Sequence, residues 1–146
     1  MPDKSGPIKI CIAQLGNSFT GEHGEHYLPY AAGIFQEYIK KYAKNPDTYE
    51  FLLPIYKRLP VDSCVLHMKD ADIAAFSAYQ WNFRMSIEVA RRVKKQYPDK
   101  LVIFGGPHVP DHAEDFFKEY PFVDVVVHGE GEQVFLSLVE NYPENN

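Results

Sequence analysis

Val123-Asp124-Val125-Val126-Val127-His128-Gly129-Glu130-Gly131-Glu132 decides the fold. Four valines in five positions leave no wet face, so the run reads as a strand over 123–127 buried on both sides, the condition of a parallel sheet covered by helices. Two glycines then turn the chain, and two acids suit the positive end of a helix dipole. The stripe Val134, Phe135, Leu138 and Val139 continues as that helix. A buried strand, a glycine turn and an amphipathic helix form the unit to seek upstream.

The unit recurs throughout. A strand over 101–104 ends in Gly105-Gly106-Pro107-His108 and precedes the stripe Ala113, Phe116, Phe117, Tyr120. A strand over 73–79 leads into a long helix with Phe83, Ile87, Ala90, Val93 and Tyr97 on one face, stopped by Pro98. A strand over 49–53 precedes a short helix over 61–67. At the front, Ile8, Ile10, Ile12 and Leu15 form a strand broken by Gly16-Asn17-Ser18. The following helix carries Leu28, Ala31, Ala32, Phe35, Ile39 and Tyr42, with Pro29 in its first turn and Lys40, Lys41 and Lys44 at its negative end. Five strands alternating with five helices predict an α/β, three-layer, doubly wound five-stranded parallel sheet, because right-handed crossovers join consecutive parallel strands.

Composition bounds the function. The 146 residues are 45% apolar and 24% charged, which suits one globular domain spanning 1–146, with 1–6 and 143–146 as loose termini. A net charge of −5 supplies no overall positive field for nucleic acid or an anionic membrane. No apolar run approaches the ~20 residues of a membrane span. The start lacks a secretory signal's apolar core, and Cys11 and Cys64 are too few for a disulfide framework, so a cytoplasmic location is expected.

In a doubly wound sheet a ligand sits outside the carboxyl ends of the strands, where the winding reverses. The loop from Gly16 and Asn17 to His26 reads either as a ligand loop or as plain surface. His23 and His26 lie near no further ligands of suitable spacing, so no metal site is expected. Ser77-Ala78-Tyr79-Gln80-Trp81-Asn82 sets aromatic and hydrogen-bonding groups at one strand end, which suits a wall for a flat ligand. Gly105-Gly106 admits positive φ or close approach of another group, here expected to be a ligand. Gly129, Glu130 and Gly131 either open a helix or offer free N–H groups to a ligand's oxygens. A phospho-receiver would need an aspartate where Ser77 stands and a lysine where His128 stands; Asp72 lies at the wrong end of its strand. The dinucleotide fingerprint is missing after the first strand. A small flavodoxin-like flavoprotein or electron carrier stays open.

Leu28-Pro29-Tyr30-Ala31-Ala32-Gly33, Ala71-Asp72-Ile73 leading into Phe76-Ser77-Ala78-Tyr79-Gln80-Trp81-Asn82, Phe104-Gly105-Gly106-Pro107-His108-Val109-Pro110, and the 123–132 run together resemble the N-terminal cobalamin (B12)-binding domain of B12-dependent radical S-adenosylmethionine enzymes. The likeness covers most of the chain and implies the flavodoxin-like, Rossmann-like fold of such domains. It implies that Ser77 and Gly105-Gly106 receive the nucleotide tail of the cofactor, drawn out from under the corrin ring. The serine hydroxyl would meet the base nitrogen that cobalt releases, and the glycines would leave room. Tyr79, Gln80, Trp81 and Asn82 would contact the corrin rim and lower face, and Gly129, Glu130 and Gly131 the tail's ribose or amide groups. Gly16, Asn17, Ala78, Pro107 and His108 complete the implied cofactor-binding set.

The Asp-x-His-x-x-Gly motif that supplies a lower cobalt ligand in many B12 domains is missing around His23 and His26. The resemblance therefore implies cobalamin held base-off and His-off. Radical chemistry needs a [4Fe–4S] cluster on a C-x-x-x-C-x-x-C run, which Cys11 and Cys64 cannot supply. The chain is expected to be a cofactor module without catalytic or metal-ligating residues of its own, either excised or stand-alone. The implied radical S-adenosylmethionine domain, of methyltransferase or cyclase type, with its S-adenosylmethionine and cluster, would lie downstream of Asn146.

Overall fold

The computed structural model describes residues 6–17 and 28–142. Its strands are β1 (Ile8–Ala13), β2 (Tyr49–Phe51), β3 (Ile73–Ser77), β4 (Leu101–Gly105) and β5 (Val125–Val126). The helices between and after them are α1 (Tyr30–Tyr42), α2 (Val61–His67), α3 (Phe83–Gln96), α4 (Glu114–Glu119) and α5 (Glu132–Glu140). The five strands form one sheet in the order β2-β1-β3-β4-β5, every pair parallel. The winding moves outward from β1 to β2, returns to β3, and continues the other way, so its reversal lies between β1 and β3. No described helix is long and apolar enough to cross a membrane.

Strict alternation along apolar strands builds two cores. Cys11, Ala13, Ala74, Phe76, Val102 and Phe104 face α2, α3 and α4, where Cys64, Val65, Val89, Val93 and Phe116 meet them. Ile10, Ile12, Ile73, Ala75, Leu101 and Ile103 face the opposite way, against Ala32 and Ile39 of α1 and Phe135 and Val139 of α5. Each central strand thus presents both faces to helices, as a continuously apolar strand must.

The strand ends differ from expectation for local reasons. β3 stops at Ser77 because the Tyr79 N–H donates to Asn82 Oδ1 (2.8 Å), and the Tyr79 carbonyl accepts from Asn82 and Phe83, which closes a turn. The second strand is interrupted after Phe51, where Leu53 is exposed and Pro54 has no N–H to give; pairing with β1 resumes at Ile55, opposite Ala13. The regular part of β5 shrinks to two residues, although Asp124 N and Val127 N still donate to Val102 and Phe104 carbonyls on β4. Three stripe residues also fall outside the core: Leu28 and Tyr42 around α1 and Val134 on α5 are exposed.

Candidate cofactor site

Where the winding reverses, an opening of about 250 Å³ runs from the carboxyl edge down between the sheet and the α1–α5 layer. Strand residues Ile12, Ala75, Ile103 and Val127 line it, with Ala31, Ile34 and Phe35 of α1 and Phe135 of α5 across from them. Phe35 and Phe135 lean on each other, ring centres 4.9 Å apart at 47°. Tyr30, Tyr79, Gly105, Gly106 and the segment 129–132 close the lining. The start of α1 is tied down because the Ala31 N–H donates to Gln14 Oε1 at the end of β1 (3.1 Å).

Ser77 and Gly105 are register partners on β3 and β4, and both line the opening. Ser77 is buried, yet its hydroxyl makes no hydrogen bond among the described residues. At Gly105, whose φ is ordinary, an added Cβ would meet only Val127, at 3.6 Å and beyond. The chain's own packing does not require glycine there.

Gly106 is different, and the expectation of a ligand as its close neighbour is corrected. Its φ is +101°, and a Cβ would lie 2.7 Å from the Ala78 carbonyl oxygen and 2.9 Å from the Ala78 nitrogen. The guest that excludes a side chain is the protein's own backbone, held there by Ala78 N to Gly105 O (2.7 Å) and His108 N to Ala78 O (3.1 Å). Gly129 also needs its freedom, with φ +65° at the turn out of the fifth strand, and a Cβ on Gly131 would press on Phe35 at 3.0 Å.

Asn82 is the second correction, since it faces inward instead of toward a ligand. Fully buried, it donates through Nδ2 to the carbonyls of Leu15 (3.1 Å) and Ser77 (3.0 Å) and accepts from Tyr79 N. One side chain thereby joins the ends of β1 and β3 and holds the backbone that carries Ser77. Ala78 is likewise fully buried.

Other expected residues stand around the opening without lining it. Trp81 is half exposed and stacks on Tyr79, centres 4.5 Å apart at 14°. Arg58 Nη1 donates to the Trp81 carbonyl (3.3 Å) and, at 3.5 Å, to that of Gly16. Gly16 N donates to Tyr56 O (3.1 Å), and Asn17 and Gln80 are exposed. Pro107 and His108 are exposed, with the His108 ring 4.7 Å from Phe83. His23 and His26 lie outside the described residues, as does the loop over 18–27.

Several lining residues escaped sequence reading: Tyr30, Ile34, Phe35, Glu132, Phe135 and the inward side chains of the strands. Phe35 and Phe135 read as ordinary core stripe, and only the glycine facing Phe35 hinted at close approach. Tyr30, 75% exposed close after Leu28 at 84%, forms part of an apolar rim. The thiols stand on the other face of the sheet: burial pushes Cys11 up to about 12 and Cys64 to about 11, so neither offers a thiolate. Among the described residues no three His, Cys, Asp or Glu side chains converge as a metal site.

Comparison with known proteins gives this geometry a context. A family model for the B12 binding domain matches residues 65–139, the stretch carrying Ser77, Gly105-Gly106 and Gly129 to Gly131. The chain is 40% identical over 121 residues to the cobalamin-dependent radical SAM methyltransferase TokK of Streptomyces tokunonensis. It is 41% identical over 121 residues to the 2-(S-pantetheinyl)-carbapenam-3-carboxylate methyltransferase of Streptantibioticus cattleyicolor. Each of these matches covers 83% of this chain and 18% of the relative. An anaerobic magnesium-protoporphyrin IX monomethyl ester cyclase of Cereibacter sphaeroides is 32% identical over 75 residues, 51% of this chain and 12% of that protein. The chain thus spans less than a fifth of the length of these relatives.

Proposed function

This chain belongs to the B12-binding domain family, and from that membership we propose that it holds cobalamin base-off and His-off, with the nucleotide tail in the switch-point opening. The observation that carries the reading is the pair Ser77 and Gly105: on a buried residue, a hydroxyl that faces the opening and has no hydrogen bond among the described residues, beside a glycine that the chain's own packing does not require. The residues fit such a tail. Ser77 Oγ can donate to a ring nitrogen that would otherwise be buried unpaired. The missing Cβ of Gly105 keeps the passage open, and the apolar walls suit an aromatic base. At the rim, Glu130 and Glu132 can accept from hydroxyl or amide groups. Leu28, Tyr30, Trp81 and Val134 all leave apolar surface uncovered at or near the carboxyl edge, where a corrin ring would cover it.

When bound, the cofactor supplies a cobalt centre able to carry a methyl group. The protein's part is positional: Asn82 fixes the Ser77 backbone, Tyr79 and Trp81 form a stacked platform beside the opening, and Arg58 ties that platform to the end of β1. The full enzyme is proposed to pair this module with a radical S-adenosylmethionine domain and its [4Fe–4S] cluster in methyl transfer or a related reaction.

The test is a visible-spectrum titration of the purified chain with hydroxocobalamin. Saturable binding with a base-off spectrum is expected, and Ser77→Ala should weaken it about three- to tenfold, the worth of one hydrogen bond. A base-on spectrum, no binding, or a protein isolated yellow with flavin would overturn the reading.

A further inference from the structure

The opening is polar at its outer end and apolar within, and this contrast bears on which tail it accepts. Ile12, Ala75, Ile103, Val127 and Phe135 contribute no side-chain donor or acceptor. Their strand backbones are largely engaged as well: Ile12 pairs with Ala75, Ala75 with Ile103, Ile103 with Val125, and the Val127 N–H donates to the Phe104 carbonyl. The carboxylates and phenols of the lining belong to residues that are exposed or half-buried, namely Glu130, Glu132, Tyr30 and Tyr79. Ser77 is the buried residue of the lining that brings a side-chain polar atom, its hydroxyl.

We propose that this inner surface makes the domain selective for the base at the end of the tail, accepting a dimethylbenzimidazole and rejecting a purine; the inference rests on the cobalamin reading above. Once free of cobalt, a dimethylbenzimidazole exposes one ring acceptor, matched by one serine hydroxyl, and its benzo ring and methyl groups meet only apolar neighbours. An adenine in the same place also brings an exocyclic amine and further ring nitrogens. No side chain of the inner lining can pair with them, and an unpaired buried polar group discriminates far more strongly than a missing methyl group.

The test compares three corrinoids by visible-spectrum titration of the 146-residue chain: cobalamin, its adenine-based analogue pseudocobalamin, and cobinamide, which lacks the base. Cobalamin should bind most tightly, the adenine analogue roughly 10- to 100-fold more weakly, and cobinamide also more weakly than cobalamin. If cobinamide equals cobalamin, or none of the three binds, the tail does not use the opening and both readings fall. If cobinamide is weaker but the adenine analogue equals cobalamin, the tail reading stands and base selection is overturned. Val127→Thr sets a hydroxyl in the wall at nearly constant shape, and Ile103→Thr does so with the loss of one methyl group. At least one should narrow the gap between cobalamin and the adenine analogue severalfold, and an unchanged ratio in both folded variants would also overturn base selection.

Discussion

Ser77, Gly105, Gly106 and Asn82 lie within a few ångströms of backbone from one another and have separable duties. Gly105→Ala should leave the fold intact, since a Cβ there meets only ordinary contacts, while cobalamin binding is weakened at least roughly tenfold because the methyl group narrows the passage. Gly106→Ala should do the reverse, costing roughly 1–3 kcal/mol of stability through a strained φ and a clash with Ala78. Urea denaturation beside cobalamin titration separates the two, and equal behaviour of the variants would contradict the assignment. Asn82→Ala strands the Tyr79 N–H and the Leu15 and Ser77 carbonyls and should cost about 2–3 kcal/mol in the same denaturation assay. Sequence alone revealed that a serine and two glycines stood at strand ends. It could not separate a glycine that the chain's own packing leaves free from one kept for the neighbouring backbone, because that depends on where Ala78 comes to rest. Nor could it turn Asn82 inward, since an asparagine after a strand suits a cap, a turn or a ligand equally well.

At the level of strands and helices, period-two and period-3.6 patterns located β1, β3, β4 and all five helices, because each puts enough apolar surface on one side to demand a partner. The ends were harder. Pro54 interrupts an edge strand by a missing donor, and β3 ends where a side chain, Asn82, outcompetes the ladder for the Tyr79 N–H. The strands also account for the cysteines: Cys11 on β1 and Cys64 on α2 are fully buried in the α2–α3 core. In the native chain both thiols should resist an aromatic disulfide reagent at pH 8 and react fully once denatured; rapid native labelling would contradict their placement. Their raised values set a sign for alkaline stability. The native state keeps protons that the unfolded chain releases above about 9, so this contribution is intact below pH 9 and is lost as pH rises toward 11 and 12. A falling urea midpoint across that window is expected, and replacement of both thiols by alanine should flatten it.

Across the whole molecule the two edges of the sheet are built differently. The amino edge is laced shut: Asp72 accepts from Lys9 N, Asp124 accepts from Lys94 Nζ and Val102 N, and Lys100 Nζ donates to the Lys69 and Ala71 carbonyls. The carboxyl edge carries the opening and exposed Leu28, Tyr30 and Trp81. Double winding was legible from element order, but the order β2-β1-β3-β4-β5, and with it the siting of the crevice between β1 and β3, depends on which edges pair, and local patterns do not encode that. A ligand confined to the open edge of the native state should stabilise the whole fold, by about 2.7 kcal/mol at a hundredfold excess over its dissociation constant. Cobalamin should therefore raise the urea midpoint, and an unmoved midpoint at saturation would argue against a native-state site. The most direct measurement is a crystal structure of the chain with hydroxocobalamin. The account requires the tail's base between the sheet and the α1–α5 layer, with a ring nitrogen within hydrogen-bond distance of Ser77 Oγ and the ribose or phosphate passing Gly105. A base still coordinated beneath the corrin, or lying outside while Phe35 and Phe135 fill the opening, would contradict it.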